Sequence, residues 1–150
     1  MQPDTRIVVT RALPAPAERV FDAFLDPAVA PLFLFATVTG ETIVAAIDAR
    51  VGGGFTITER RPDTGDVRHV GRYLAIDRPG GLRFEFGVPQ FSPGTTTVAI
   101  GIRPLGDHCE LTLTHDGVLP EFAERTRDGW DRILAGLLPA YDGMRAAGWR

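Results

Sequence analysis

The sequence predicts an α+β domain: a curved antiparallel sheet of about seven strands around a long C-terminal helix, with two short helices after the first strand. Three observations predict it. Residues 38–115 alternate apolar and polar side chains between turn signals, the pattern of half-buried strands. An apolar stripe at helical spacing runs from about Pro120 to Ala147. A short amphipathic segment directly follows a β-branched run near the N-terminus.

In order along the chain, "RIVVTRAL" (6–13) is the first strand, rich in β-branched residues. In "PAPAERVFDAFLDP", Ala17, Val20, Phe21, Phe24 and Leu25 fall on one helical face. Pro16 suits the first turn, and Asp26-Pro27 ends the helix because a residue before proline avoids the α region. "AVAPLFLF" (28–35) is read as a second short helical turn. "ETIVAAIDARVGGGFTITER" holds two strands joined by Gly52-Gly53-Gly54, and "RPDTGDV" separates the second from "RHVGRYLAI". Asp77-Arg78-Pro79-Gly80 has proline and glycine suited to a type II turn. "GLRFEFG", "TTTVAIGIRPL" and "HCELTLTHDG" complete the strands, with Leu82, Phe84 and Phe86, and then Cys109, Leu111 and Leu113, facing inward. On the last helix Phe122, Trp130, Ile133, Leu134, Leu137, Leu138 and Tyr141 line one side, and only the apolar face of the sheet is large enough to bury them.

Composition narrows the class. A chain of 150 residues with 44% hydrophobic and 23% charged residues is read as one domain, residues 1–150, with a core that needs no staples. A net charge of −3 gives no footprint for nucleic acid or an anionic membrane. The single cysteine, Cys109, excludes an internal disulfide and suits a reducing compartment. "MQPDTRIVVT" lacks the layout of a signal peptide, and no apolar run is long enough to span a bilayer, so the expected address is the cytoplasm.

Chemistry is sparse. Three histidines without ligand spacing give no metal site; no nucleophile elbow exists, Cys109 has no evident base, and "VGGGF" lacks the lysine and helix of a phosphate loop. No catalytic group, metal or cofactor is assigned. The exception to plain core patterning is Arg72, which strand phase places with Val70, Leu74 and Ile76 on the inward face, leaving His69 and Tyr73 outside. With "DTGD" as the preceding loop, Ile57 faces Arg72 and Glu59 faces Val70, so Glu59 and Arg72 become diagonal neighbours. Two charges among apolar residues are costly to desolvate unless paired. Either the pair is structural and wet at the open end of the sheet, or it lies inside a pocket and anchors a ligand. His115 continues the inward phase of the last strand, as a hydrogen-bonded structural group or as a base. Gly129, Gly136 and Gly143 recur every seven residues on the last helix, a smooth stripe for the first strand, a second copy of the chain (a homodimer) or a flat ligand.

The order strand, two short helices, six strands and a long helix resembles the helix-grip or START-like fold, also known from the birch-pollen allergen. "APAERVFDAFLDP" is similar to its first-helix signature and "DARVGGGFTI" to its glycine hairpin. "GRYLAIDRPGGLRFEF" and "LTLTHDGVLPEFAERTRDGWDRILAGL" resemble the central and C-terminal segments of homologues of the activator of heat-shock protein 90 ATPase, particularly the stand-alone bacterial type. The chain departs from that pattern where tryptophans usually follow "D-P": "PLFLFA" offers Leu32, Phe33 and Phe35. The resemblance implies a pocket between sheet and helix but no single activity.

Three functions follow, in this order. The first is a binding protein for a small hydrophobic molecule such as a lipid, polyketide or aromatic metabolite. Its pocket would be lined by Phe33, Phe35, Ile57, Glu59, Arg72, Leu74, Phe84, His115, Trp130, Leu134 and Leu137. The second is a cyclase- or hydrolase-type enzyme using Glu59 and His115 as its acid–base groups. The third, implied by the resemblance alone, is a module that contacts a chaperone ATPase; the eukaryotic activators carry an additional N-terminal domain. No nucleic-acid or membrane partner is expected.

Overall fold

The computed structural model of the chain describes residues 5–37, 39–90 and 94–146, with side chains through residue 139. Strand β1 (Thr5–Leu13) leads into helices α1 (Ala17–Leu25) and α2 (Ala30–Phe33). Six strands follow: β2 (Glu41–Ile47), β3 (Gly54–Arg61), β4 (Gly65–Asp77), β5 (Gly81–Gly87), β6 (Thr96–Leu105) and β7 (His108–Val118). A 3-10 turn (Pro120–Phe122) then opens helix α3 (Ala123–Ala146). All seven strands form one antiparallel sheet in the order β1-β7-β6-β5-β4-β3-β2.

The local rules read from the sequence hold for most elements. Helix α1 buries Ala17, Val20, Phe21 and Phe24 and stops at Asp26, whose N–H closes on Asp22 O at 3.0 Å. Strands β5 and β7 alternate as expected, burying Leu82 and Phe84, and Cys109, Leu111 and Leu113. The turn after β4 closes with Gly80 N–H on Asp77 O at 2.9 Å, around a cis Arg78–Pro79 peptide rather than in type II geometry. Helix α3 runs on through Pro139 and buries Trp130, Leu134 and Leu137. Phe122, expected on the same stripe, belongs to the 3-10 turn and is 44% exposed, with the Arg125 guanidinium over its ring. Tyr141 and Gly143 lie beyond the described side chains, and Ala147 beyond the described residues.

Strand β4 overturns the expected phase. Its inward residues are Val67, His69, Gly71 and Tyr73; Arg72 is exposed and Leu74 is 37% exposed. The cause is the β3–β4 hairpin. Arg61 pairs with Gly65 across the three residues 62–64, and Gly65 takes a left-handed φ of +77° that glycine adopts without penalty. Ile57 therefore stands opposite His69 rather than Arg72. A slip of three residues is odd, and an odd slip turns every side chain to the other face. Arg72 instead meets Glu85 across the outer face. A bulge between Tyr73 and Ala75 then returns Ile76 to the core side.

Helix α3 lies along the β1 side of the sheet. Arg127 donates to the Val8 carbonyl at 2.8 Å, and Arg11 donates to the Asp131 carbonyl at 3.4 Å. Gly136 faces α2, where an added Cβ would meet Phe33 Cβ at 3.5 Å. The middle of the bowl, beneath β3–β5, is thus closed by aromatic side chains rather than by α3. Gly71 is part of that closure: it stands directly across from Phe55, whose ring occupies the space a Cβ there would need. Replacing Gly71 with alanine is expected to lower stability by about 1–3 kcal/mol through overpacking. A urea titration checks this: the midpoint should fall with no change in slope.

Candidate functional site

The concave side of the sheet holds an aromatic cluster at its centre. His69 on β4 and Phe86 on β5 lie side by side, ring centroids 6.2 Å apart and planes within 10°. Phe35, in the loop after α2, lies flat over both: 4.4 Å and 2° from His69, 4.9 Å and 8° from Phe86. These three distances describe a triangle in which two rings form a platform and Phe35 is stacked on it. Phe55 and Trp130 close around Phe35, each at 5.9 Å. Phe55 in turn meets Phe84 edge-on at 5.3 Å. Phe35 holds this place from a left-handed backbone, φ 61°, where a non-glycine residue is strained by about 1 kcal/mol.

The expected hollow between sheet and helix is therefore occupied by the protein's own rings. Open grooves of 380 Å³ and 240 Å³ lie along β2–β5, and they share Val70 and Gly71. Arg72, Glu85 and Thr95 line the smaller one, so Arg72 is not an interior anchor. Leu74 leaves the candidate site for the same reason of register.

Glu59 is fully buried, but its partner is Arg61, two residues along the same face, and not Arg72. Arg61 Nε donates to Oε1 at 2.5 Å; Oε2 accepts the Thr37 N–H at 2.5 Å and the Thr37 hydroxyl at 2.9 Å. Burial alone would raise the Glu59 pKa, yet these hydrogen bonds outweigh it and hold the carboxyl below its ordinary value. Gly40 completes the clasp, since any Cβ there would collide with the carboxylate. Both oxygens are engaged by the protein, and the loop so fixed is the one that carries Phe35.

His115 is likewise engaged. Trp130 Nε1–H donates to Nδ1 at 2.9 Å, and Nε2 lies 2.6 Å from Thr96 Oγ1, which donates to the Phe86 carbonyl at 3.4 Å. An indole nitrogen only donates, so the neutral ring carries its proton on Nε2 and donates to Thr96. His115 thus pins α3 to the sheet. His69, expected outside, is the interior histidine that the sequence reading missed. Its Nδ1 lies 3.1 Å from the Ile57 carbonyl, an acceptor, so Nδ1 carries the proton. Burial lowers both histidines to about 4. Tyr73, also expected outside, is buried, and burial raises its pKa. Of the expected lining, Phe33, Phe35, Ile57, Glu59, Phe84, His115, Trp130, Leu134 and Leu137 are all buried on the concave side; His69 and Tyr73 join them, with Phe86, Thr37 and Arg61 half-buried beside them. No group of three or more His, Cys, Asp or Glu among the described residues could hold a metal, and no described helix is long and apolar enough to cross a membrane.

A curved seven-stranded antiparallel sheet, a C-terminal helix against its concave side and two short helices after β1 define a helix-grip domain, the class of fold that builds ligand-binding domains. Residues 14–141 match the family described as Activator of Hsp90 ATPase homolog 1-like protein, and the chain belongs to that family. Among solved structures, protein CV1439 from Chromobacterium violaceum is 29% identical, with 88% of this chain and 93% of that one aligned at a TM-score of 0.78. The AHSA1-like protein from Aeromonas hydrophila has the same fold at 20% identity, covering 96% and 94% with a TM-score of 0.78. A third likeness is CalU16 from Micromonospora echinospora, at 20% identity, 95% and 80% coverage and a TM-score of 0.68. No curated protein matches the chain.

Two predictions follow from the polar groups. Folded-state histidines near 4, against about 6.5 unfolded, mean that between these values only the unfolded chain takes up the protons. Stability should be level above pH 6.5 and fall on acidification toward pH 4, by up to about 3 kcal/mol per histidine at 1.4 kcal/mol per pH unit. Urea midpoints across that range measure it. Glu59→Gln should cost about 1–3 kcal/mol by weakening the charged bonds to Arg61 and Thr37, read in the same titration at pH 7.

Proposed function

We propose that this domain binds a small, flat hydrophobic molecule between the sheet and α3, in the seat that Phe35 occupies when no ligand is bound. The observation carrying this reading is Phe35 itself: a ring laid face to face on a prepared platform, held there by a strained loop residue. The left-handed φ belongs to the second corner of a type II turn, with Leu34 at φ −74°, ψ 116° and the Ala36 N–H on the Phe33 carbonyl at 3.3 Å, and a phenylalanine at that corner gives back its strain when the turn opens for a ligand. The surrounding groups suit a guest ring: Phe55, Phe86 and Trp130 supply aromatic surface, and Leu134 and Leu137 supply the apolar wall. Enzymatic turnover is less well served, because Glu59 and His115, the groups expected to do acid–base work, both have their polar atoms bonded within the protein.

Phe35→Ala tests the reading. The variant should bind toluene at least ten times more tightly than the wild type, followed by NMR titration. A native mass spectrometry screen of aromatic metabolites and fatty acids should favour ring compounds. Failure of the folded variant to take up any ring compound would remove the proposal.

A further inference from the structure

From the hydrogen bonding of His69 we infer the chemical class of the ligand: a flat ring carrying a hydroxyl donor on a short flexible arm, the hydroxyl being received by His69 Nε2. The inference rests on the binding reading above and makes it specific. His69 is 5% exposed, and among the described residues its one hydrogen bond is from Nδ1 to the Ile57 carbonyl. That bond fixes the tautomer, leaving Nε2 as a bare acceptor with no partner among the described residues. With Phe35 withdrawn the face of the His69 ring is uncovered, and a donor carried by a guest in that seat can turn toward Nε2.

Geometry sets the arm. A ring in the place of Phe35 lies parallel to the His69 ring and one ring thickness above it. The Nε2 lone pair lies in the plane of the imidazole, so a hydroxyl attached directly to the guest ring stays too high to meet it. An arm of two carbons lets the hydroxyl drop into that plane. A neutral hydroxyl fits better than an ammonium, because the site is buried and an unpaired charge there would be stripped of its water.

The test uses Phe35→Ala with five probes. 2-Phenylethanol should bind about tenfold more tightly than its methyl ether, which keeps the ring and arm but has no donor, a factor appropriate to one hydrogen bond to an otherwise unpaired acceptor. Phenol should show no such gain over anisole. His69→Phe, added to Phe35→Ala, should abolish the preference for 2-phenylethanol over its methyl ether. Toluene binding with equal affinity for 2-phenylethanol and its ether overturns this inference but leaves the binding reading intact; no binding of any ring overturns both. Should the double variant fail to fold, nitrogen-15 NMR of His69 in the wild type at pH 7 decides the tautomer. An unprotonated, pyridine-type Nε2 supports the inference, and a protonated Nε2 overturns it.

Discussion

The stacking of Phe35 on the shared plane of His69 and Phe86 is the contact on which the arrangement of the interior depends. Helix α3 leans toward β1, so the centre of the bowl needs a filler from elsewhere in the chain. The loop after α2 supplies it. The stack then dictates other choices. Gly71 must be glycine for Phe55 to lie across β4 and reach the ring from the side, and His69 must be neutral to lie flat beneath an aromatic face without stranding a charge. A face-to-face contact of this kind contributes on the order of 1 kcal/mol beyond area burial, enough to offset the left-handed backbone of Phe35.

The polar groups inside the bowl divide by what they hold. Glu59 holds the loop, through the N–H and hydroxyl of Thr37, two residues beyond Phe35. His115 holds the long helix, through the indole of Trp130. Each has every side-chain polar atom bonded inside the protein, the condition under which a buried polar group stabilises rather than destabilises. His69 is the asymmetric member, with one nitrogen committed to the Ile57 carbonyl and the other left over.

Most of the architecture was legible because it depends on periodicity. The face of α1, the alternation in β5 and β7 and the Trp130–Leu134–Leu137 stripe each bury what their spacing says they should. The centre of the site was not legible, for one physical reason. Strand β4 carries apolar or aromatic residues in both phases: Val70, Leu74 and Ile76 in one, Val67, His69 and Tyr73 in the other. Only the register of its hairpin chooses between them. The deciding signal was present in "RPDTGD", where Gly65 closes a three-residue loop, but that register depends on one left-handed glycine and not on any pattern of hydrophobicity. The partner of Glu59 was lost with it. Arg61 lies two residues away on the same strand face, nearer than any cross-strand candidate. Phe35 was picked out as a lining residue, but a left-handed backbone at phenylalanine leaves no trace in composition.

The same strain sets how readily the seat can open. Withdrawing the Phe35 ring to water forfeits about 2–3 kcal/mol of apolar burial and about 1 kcal/mol of stacking, and leaving the left-handed region returns about 1 kcal/mol. The difference places the open form at roughly a few per cent of the population or less, and a ligand's apparent affinity falls to that fraction of its intrinsic value. Glu59 fixes how far the opening extends. With Thr37 clasped by the carboxylate and the Leu34 N–H bonded to the Ala30 carbonyl at 2.8 Å, Phe35 and Ala36 lie between two anchored points, tied by the Ala36 N–H on the Phe33 carbonyl at 3.3 Å. A change of φ at Phe35 gives up that one bond and swings the ring away without moving β3 or α2. The platform therefore stays in place as its cover leaves, which is what a preformed binding surface requires.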